Sequence, residues 1–245
     1  MASLGVASTK PFSIVPTPGG LIILGPVVSD AEYRAASTAP TVTPPGNFLT
    51  SQLIQSPSPA SVVVSPDTLR KTQLLKLIGN AVINPLTALL RCSNGELLTH
   101  DPGMHLIHEL VKEAAPVIRD LAAPCEYEEK EGEPTPLSDE HLMQWVGVLI
   151  RSTRWNTSSM LQDVKNGKRT EIDYINGYIV AEAERLGHEC EKHAMLVEMV
   201  KKGEVIAPGD ITSRLGLKMT KQGGFLWDIL TSPINWAIAA WNLFR

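Results

Sequence analysis

The sequence predicts a mainly helical protein: a helical domain over residues 67–202, a small strand-bearing segment over 1–66 before it, and an apolar extension over 203–245 after it. Three observations carry that expectation. Apolar residues recur at helical spacing in five successive stretches after Asp67. The residues before it hold only two short β-like runs among Pro, Ser, Thr and Gly. The joints between the periodic stretches carry turn residues.

The first β-like run is GLIILGPVV, Gly20 to Val28, and the second is SVVVS, Ser61 to Ser65. Between them AASTAPTVTPPGN reads as loop or disorder. Two strands cannot bury enough surface alone, so this segment must lean on something else. Helices are expected over Thr68–Asn84, Met104–Ala122, Ser138–Asn156, Thr170–Gly187 and Glu191–Lys202. The joints are RCSNGEL, the acidic PCEYEEKEGEPTP, which reads as a solvated loop, and GHEC. The tail FLWDILTSPINWAIAAWNLFR has three tryptophans, but Asp228, Pro233 and Asn235 interrupt it below the roughly 20 apolar residues of a spanning helix. A helix docked on this protein or on a second subunit is the first reading of the tail, and an interfacial membrane helix the second.

With 245 residues, 43% hydrophobic and 20% charged, the chain has the balance of a globular protein. A net charge of −4 without a Lys/Arg block argues against nucleic acid as a partner. Cys92, Cys125 and Cys190 are odd in number and widely spaced, which indicates neither a disulfide framework nor a zinc site. A reducing, cytoplasmic compartment is the natural expectation. The first residues lack the basic start and long apolar run of a secretory signal, so export is not expected.

The segment KLIGNAVINPLTALL places Lys76, Asn80 and Asn84 four residues apart, on one face of a helix that is otherwise apolar. Such a helix is buried nearly all round, with its polar groups lining a crevice. Desolvation disfavours an ammonium, so Lys76 needs an anionic partner or a wet cleft. Pro85 pushes Asn84 from helical geometry, and the helix is expected to kink or stop there, releasing backbone groups. A structural alternative has Lys76 snorkelling and the asparagines meeting loose backbone ends. Further on, Ser159-x-x-Gln162 and Thr170-x-x-Asp173 both fit a capping box, and Glu171 in the first turn suits a positive helix end.

KLIGNAVINPLTALLRCSNGEL, followed by SSMLQDV and TEIDYINGYIV, resembles the C-terminal domain of ketopantoate reductase, also called 2-dehydropantoate 2-reductase, from about Leu69 to Lys202. The resemblance implies the helical C-terminal fold of the ketopantoate reductase and 6-phosphogluconate dehydrogenase type, preceded by a remnant of a Rossmann α/β domain. It implies NADPH-dependent reduction of 2-dehydropantoate to pantoate, on the route to pantothenate and coenzyme A, with a small 2-keto acid as substrate. Lys76 matches the proton donor, and Glu171 the glutamate that holds the lysine and the reacting hydroxyl. Ser159 would take the substrate carboxylate, and Asn80 and Asn84 would orient its polar groups. A homodimer is one expected assembly.

Two departures stand beside it. No Gly-x-Gly-x-x-Gly turn is present, PGGLIILG has the wrong spacing, and the two β-like runs resemble only the last strands of the family's cofactor domain. Most of the nucleotide half is therefore expected to be missing. Hence the alternative of a truncated, catalytically inactive paralogue acting as a binding or dimerisation module. The second departure is at Glu191 and His193, where the family commonly has a proline and an asparagine. Residues past Lys202 have no counterpart. His105 and His108 are expected to flank the core stripe at the surface, with no third metal ligand evident. His188, Cys190 and His193 are expected in a loop, and the thiols to behave as buried small hydrophobes.

Overall fold

In the computed structural model of the chain, the described residues are 6–10, 13–16, 21–25, 48–55, 60–99, 101–122 and 137–216. The acidic joint, Cys125 and the tryptophan tail lie outside them, as does the AASTAPTVTPPGN stretch. The chain divides into two compact units, with the boundary after Gln73.

In the first unit, β1 (Val6–Lys10) and β2 (Ser13–Pro16) pair antiparallel, with Val6 opposite Pro16 and an irregularity between Ser8 and Lys10. β3 (Leu21–Leu24) pairs in parallel with β4 (Ala60–Val63), Leu21 opposite Ala60, and α1 (Phe48–Gln55) lies between them in sequence. Parallel neighbours need a crossover rather than a tight turn, so this is a βαβ unit. The two β-like runs foretell β3 and β4. The elements β1, β2 and α1 are not foretold, because each is too short for its periodicity to stand out from the surrounding Pro, Ser and Thr. Gly25 ends β3 where a Cβ would meet the Val64 carbonyl oxygen at 3.1 Å and Leu69 Cβ at 3.2 Å. A side chain there would push its neighbours aside by a few tenths of an ångström.

α2 (Pro66–Leu90) opens with proline at its first position and is capped by the Ser65 hydroxyl, which accepts from Thr68 N–H at 3.2 Å. It crosses the unit boundary, and within the helical unit Ile78, Ala81, Val82 and Leu86 are wholly buried. By length and composition it could cross a bilayer, but 72% of its most apolar window is buried in the protein, as in a core helix. The expected stop at Pro85 does not occur: Pro85 lies inside the helix, and Asn84 is helical with it.

The helical unit also holds a 3-10 turn (Asn94–Leu98), α3 (Asp101–Ala122), α4 (Asp139–Ser152), α5 (Ser159–Lys165), α6 (Ile172–Leu186) and α7 (Glu191–Lys201). A second 3-10 turn (Pro208–Asp210) and α8 (Ile211–Arg214) follow. α6 ends at Gly187 in the left-handed region (φ 80°), and His188 N–H reaches back to the Ala183 carbonyl at 2.9 Å. That turn folds α7 back onto α6. The segment after α7 then satisfies the end of α2, through Ile206 N–H to the Leu89 carbonyl at 3.0 Å. The chain is thus mainly helical, as the sequence predicts.

Candidate functional site

Lys76, Asn80 and Asn84 share a face of α2 and pass along it from exposed, through half-buried, to buried. Lys76 is exposed, so its long stem carries the ammonium without full desolvation. Two distant segments are fastened to the same helix. The first is the start of α5. Ser158, not Ser159, is its cap: its hydroxyl accepts from Leu161 N–H at 3.1 Å. Ser158 Oγ also lies 2.7 Å from Thr87 Oγ1, whose own hydrogen faces the Ile83 and Asn84 carbonyls at 2.9 and 3.0 Å. Ser158 is therefore the donor in that pair. Ser159, displaced from the cap by one residue, is exposed.

The approach to this cap is pinned as well. Gly95 N–H donates to the Arg154 carbonyl at 3.0 Å, Asn94 N–H to the Asn156 carbonyl at 3.1 Å, and Asn94 Nδ2 to Thr153 Oγ1 at 2.9 Å. A Cβ on Gly95 would stand 2.7 Å from Arg154 Cβ, so a glycine is required there.

The second fastened segment is α6. Glu171 is its cap residue and not part of a capping box opened by Thr170; its side chain makes no cap bond. The Glu171 carbonyl accepts from Tyr174 and Ile175 N–H at 3.0 and 3.1 Å, which leaves the exposed carboxylate outside the capping role. Five residues on, Asn176 Nδ2 donates to the Ala81 carbonyl at 2.8 Å. This bond explains why α2 survives Pro85. A proline has no N–H for the carbonyl four residues before it, and here that carbonyl is Ala81, fully buried. Asn176 replaces the missing donor.

Asn176 is held in turn by His193. His193 Nε2 lies 3.0 Å from the Leu110 carbonyl, which can only accept, so Nε2 carries the proton and Nδ1 accepts from Asn176 Nδ2 at 2.9 Å. His193 is therefore a core histidine on α7 and not a loop residue; burial pushes its pKa down to about 4. A third contact comes from α4, where Trp145 Nε1 donates to the Leu75 carbonyl at 2.9 Å beside Lys76. Leu149 Cδ2 packs over Gly79, where a Cβ would lie 2.5 Å from it.

Of these, Thr87, Trp145, Ser158 and Asn176 are not marked out in the sequence reading. Asn176 has a readable signal, being spaced with Ile172, Ile179 and Ala183 on the buried stripe of α6. An amide on such a stripe needs partners.

The other candidates resolve differently. His105 is buried, which corrects its expected surface position, and His108 Nδ1 lies 3.4 Å from Glu109. Among the described residues no His, Cys, Asp and Glu group could hold a metal ion. Burial raises the thiol pKa of Cys190 to about 12 and that of Cys92 to about 11, which makes both poor nucleophiles. A cavity of about 290 Å³ is lined by Glu109, Lys112, Glu113, Glu189, Glu191 and Lys192, none of them a predicted site residue. A dinucleotide does not fit by the usual device: no two glycines of the chain are two apart, so the glycine-rich turn cannot form. In sequence, β3 is followed by Gly25-Pro26.

Comparison with known proteins agrees with this architecture. Residues 68–204 match the family described as ketopantoate reductase PanE/ApbA C terminal. The 2-dehydropantoate 2-reductase of Yersinia pestis is 41% identical over 129 residues, covering 53% of this chain and 38% of that protein. A ketoisovalerate reductase of Beauveria bassiana is 28% identical over 243 residues, covering 86% of this chain and 53% of that one. Among solved structures, a probable 2-dehydropantoate 2-reductase from Bacillus subtilis superposes with a TM-score of 0.60 at 26% identity, over 82% of this chain and 59% of that chain. This chain thus spans well under two thirds of the length of these relatives. Through its helical unit, the chain belongs to the ketopantoate reductase family.

Proposed function

We propose that this chain carries the substrate-binding and proton-donating part of an NADPH-dependent 2-keto acid reductase, acting on 2-dehydropantoate to give pantoate for pantothenate and coenzyme A synthesis. As the ketone carbon is reduced, its oxygen gains negative charge. The Lys76 ammonium stabilises that charge and gives up a proton to it. Glu171 holds the ammonium and the nascent hydroxyl, Ser159 accepts the substrate carboxylate by hydrogen-bond donation, and Asn80 and Asn84 orient the remaining polar groups. Because the glycine-rich turn is not in these residues, no step is assigned to cofactor binding by this chain.

The observation that supports this reading is the double fastening of remote segments onto α2. Thr87–Ser158 ties down the start of α5 three residues from Asn84, and Ala81–Asn176 ties down the helix that Glu171 opens. The test is NADPH oxidation by the purified chain with 2-dehydropantoate, alongside calorimetric titration with pantoate. Turnover is expected to fall roughly 100-fold or more in Lys76→Ala, with the melting temperature unchanged. An equally active variant removes the proposed acid. The missing glycine turn favours a second reading, a binding or dimerisation module, which predicts neither turnover nor pantoate binding.

A further inference from the structure

At Ala81 a local defect and a distant side chain meet. Pro85 withdraws the helical donor, and Ala81 is fully buried, so water cannot replace it. Asn176 Nδ2 lies 2.8 Å from that oxygen, and the same nitrogen lies 2.9 Å from His193 Nδ1. The Asn176 amide oxygen, by contrast, finds no donor among the described residues. Leaving a buried polar atom unsatisfied is costly. An amide kept on an apolar stripe under that penalty is kept for its two N–H groups.

Both groups lock α6 at one register. One bonds α2 directly, and the other reaches α3 through His193 and the Leu110 carbonyl. Glu171 precedes Asn176 by five residues and Lys76 precedes Ala81 by five, each about 7.5 Å of helix axis. Any slip of α6 along α2 therefore moves the carboxylate relative to the ammonium. We propose that Asn176 is a positioning residue for Lys76 and Glu171: by serving the carbonyl that Pro85 deprives, it sets where Glu171 stands along the α2 face. This rests on the functional reading of that face given above.

The experiment is pantoate titration calorimetry on the wild-type chain, Asn176→Ala, Pro85→Ala and the double variant, each with a denaturation curve. Asn176→Ala should weaken binding roughly tenfold to hundredfold, the loss of one charge-assisted hydrogen bond. Pro85→Ala gives residue 85 an N–H for Ala81. The double variant should therefore regain much of the stability lost by Asn176→Ala, yet still bind pantoate as weakly relative to Pro85→Ala. Were Asn176→Ala unable to fold, the double variant would carry the comparison. Binding that recovers in step with stability overturns the proposal in favour of a purely structural role, as does undiminished binding by Asn176→Ala. A wild-type chain that binds no pantoate overturns the functional reading and this role with it, and is told apart by the wild type itself being silent.

Discussion

Two long helices of this protein each contain a proline, and the two are accommodated differently. In α2, Pro85 orphans the carbonyl of Ala81, which is fully buried. In α3, Pro116 orphans that of Lys112, an exposed residue where solvent can act as donor. The first proline needs a donor from elsewhere in the chain and obtains it from Asn176 at 2.8 Å. The second does not. A proline inside a helix is thus a local fault when it faces water and a tertiary joint when it faces the core.

The largest effect should come from removing the joint. Asn176→Ala leaves the Ala81 carbonyl and His193 Nδ1 without donors in the core, so urea denaturation should show a loss of about 2–4 kcal/mol. A loss under about 1 kcal/mol would break the contrast between the two prolines. Next is the histidine that holds the joint. Burial chiefly, aided by the nearby Lys192 charge, depresses His193 from 6.5 to about 4, while its bond to Leu110 acts the other way. Below pH 6.5 the unfolded chain takes up a proton that the folded one refuses. Stability is therefore full above 6.5, falls as pH drops towards 4, and loses about 3 kcal/mol in all. Glu113, facing from α3, is pushed up mainly by burial, so its contribution runs the opposite way and weakens as pH rises. His193→Asn should abolish the acid limb while keeping a side chain able to accept from Asn176. Denaturation curves across that range with an unchanged slope in the variant would refute the assignment. The smallest effect sharpens the comparison: Pro116→Ala should combine with Asn176→Ala additively within about 0.5 kcal/mol, whereas Pro85→Ala should not.

Much of the helical unit could be read from periodicity alone, because an apolar stripe has to be buried whatever it packs against. The face of Lys76, Asn80 and Asn84 was legible for the same reason. Caps were less so: Ser158 and Ser159 are adjacent and chemically equal, and the contact with Thr87, 71 residues away, accompanies Ser158 as the cap. The helix over Glu191–Lys202 was legible but the core role of His193 was not, since nothing local shows that Asn176 and Leu110 will satisfy both ring nitrogens. The short β1, β2 and α1 carry too few residues for a period to emerge.

By itself the sequence determined that the chain is mainly helical, which face of α2 is polar, and that Pro85 removes a helical donor, because spacing and covalent structure are properties of neighbours. Only the tertiary structure decided which donor would meet the Ala81 carbonyl, which serine would cap α5, and that a histidine would be neutral in the core. Each of those outcomes depends on a hydrogen-bond partner remote in the chain, and desolvation makes finding that partner obligatory without specifying which residue it will be.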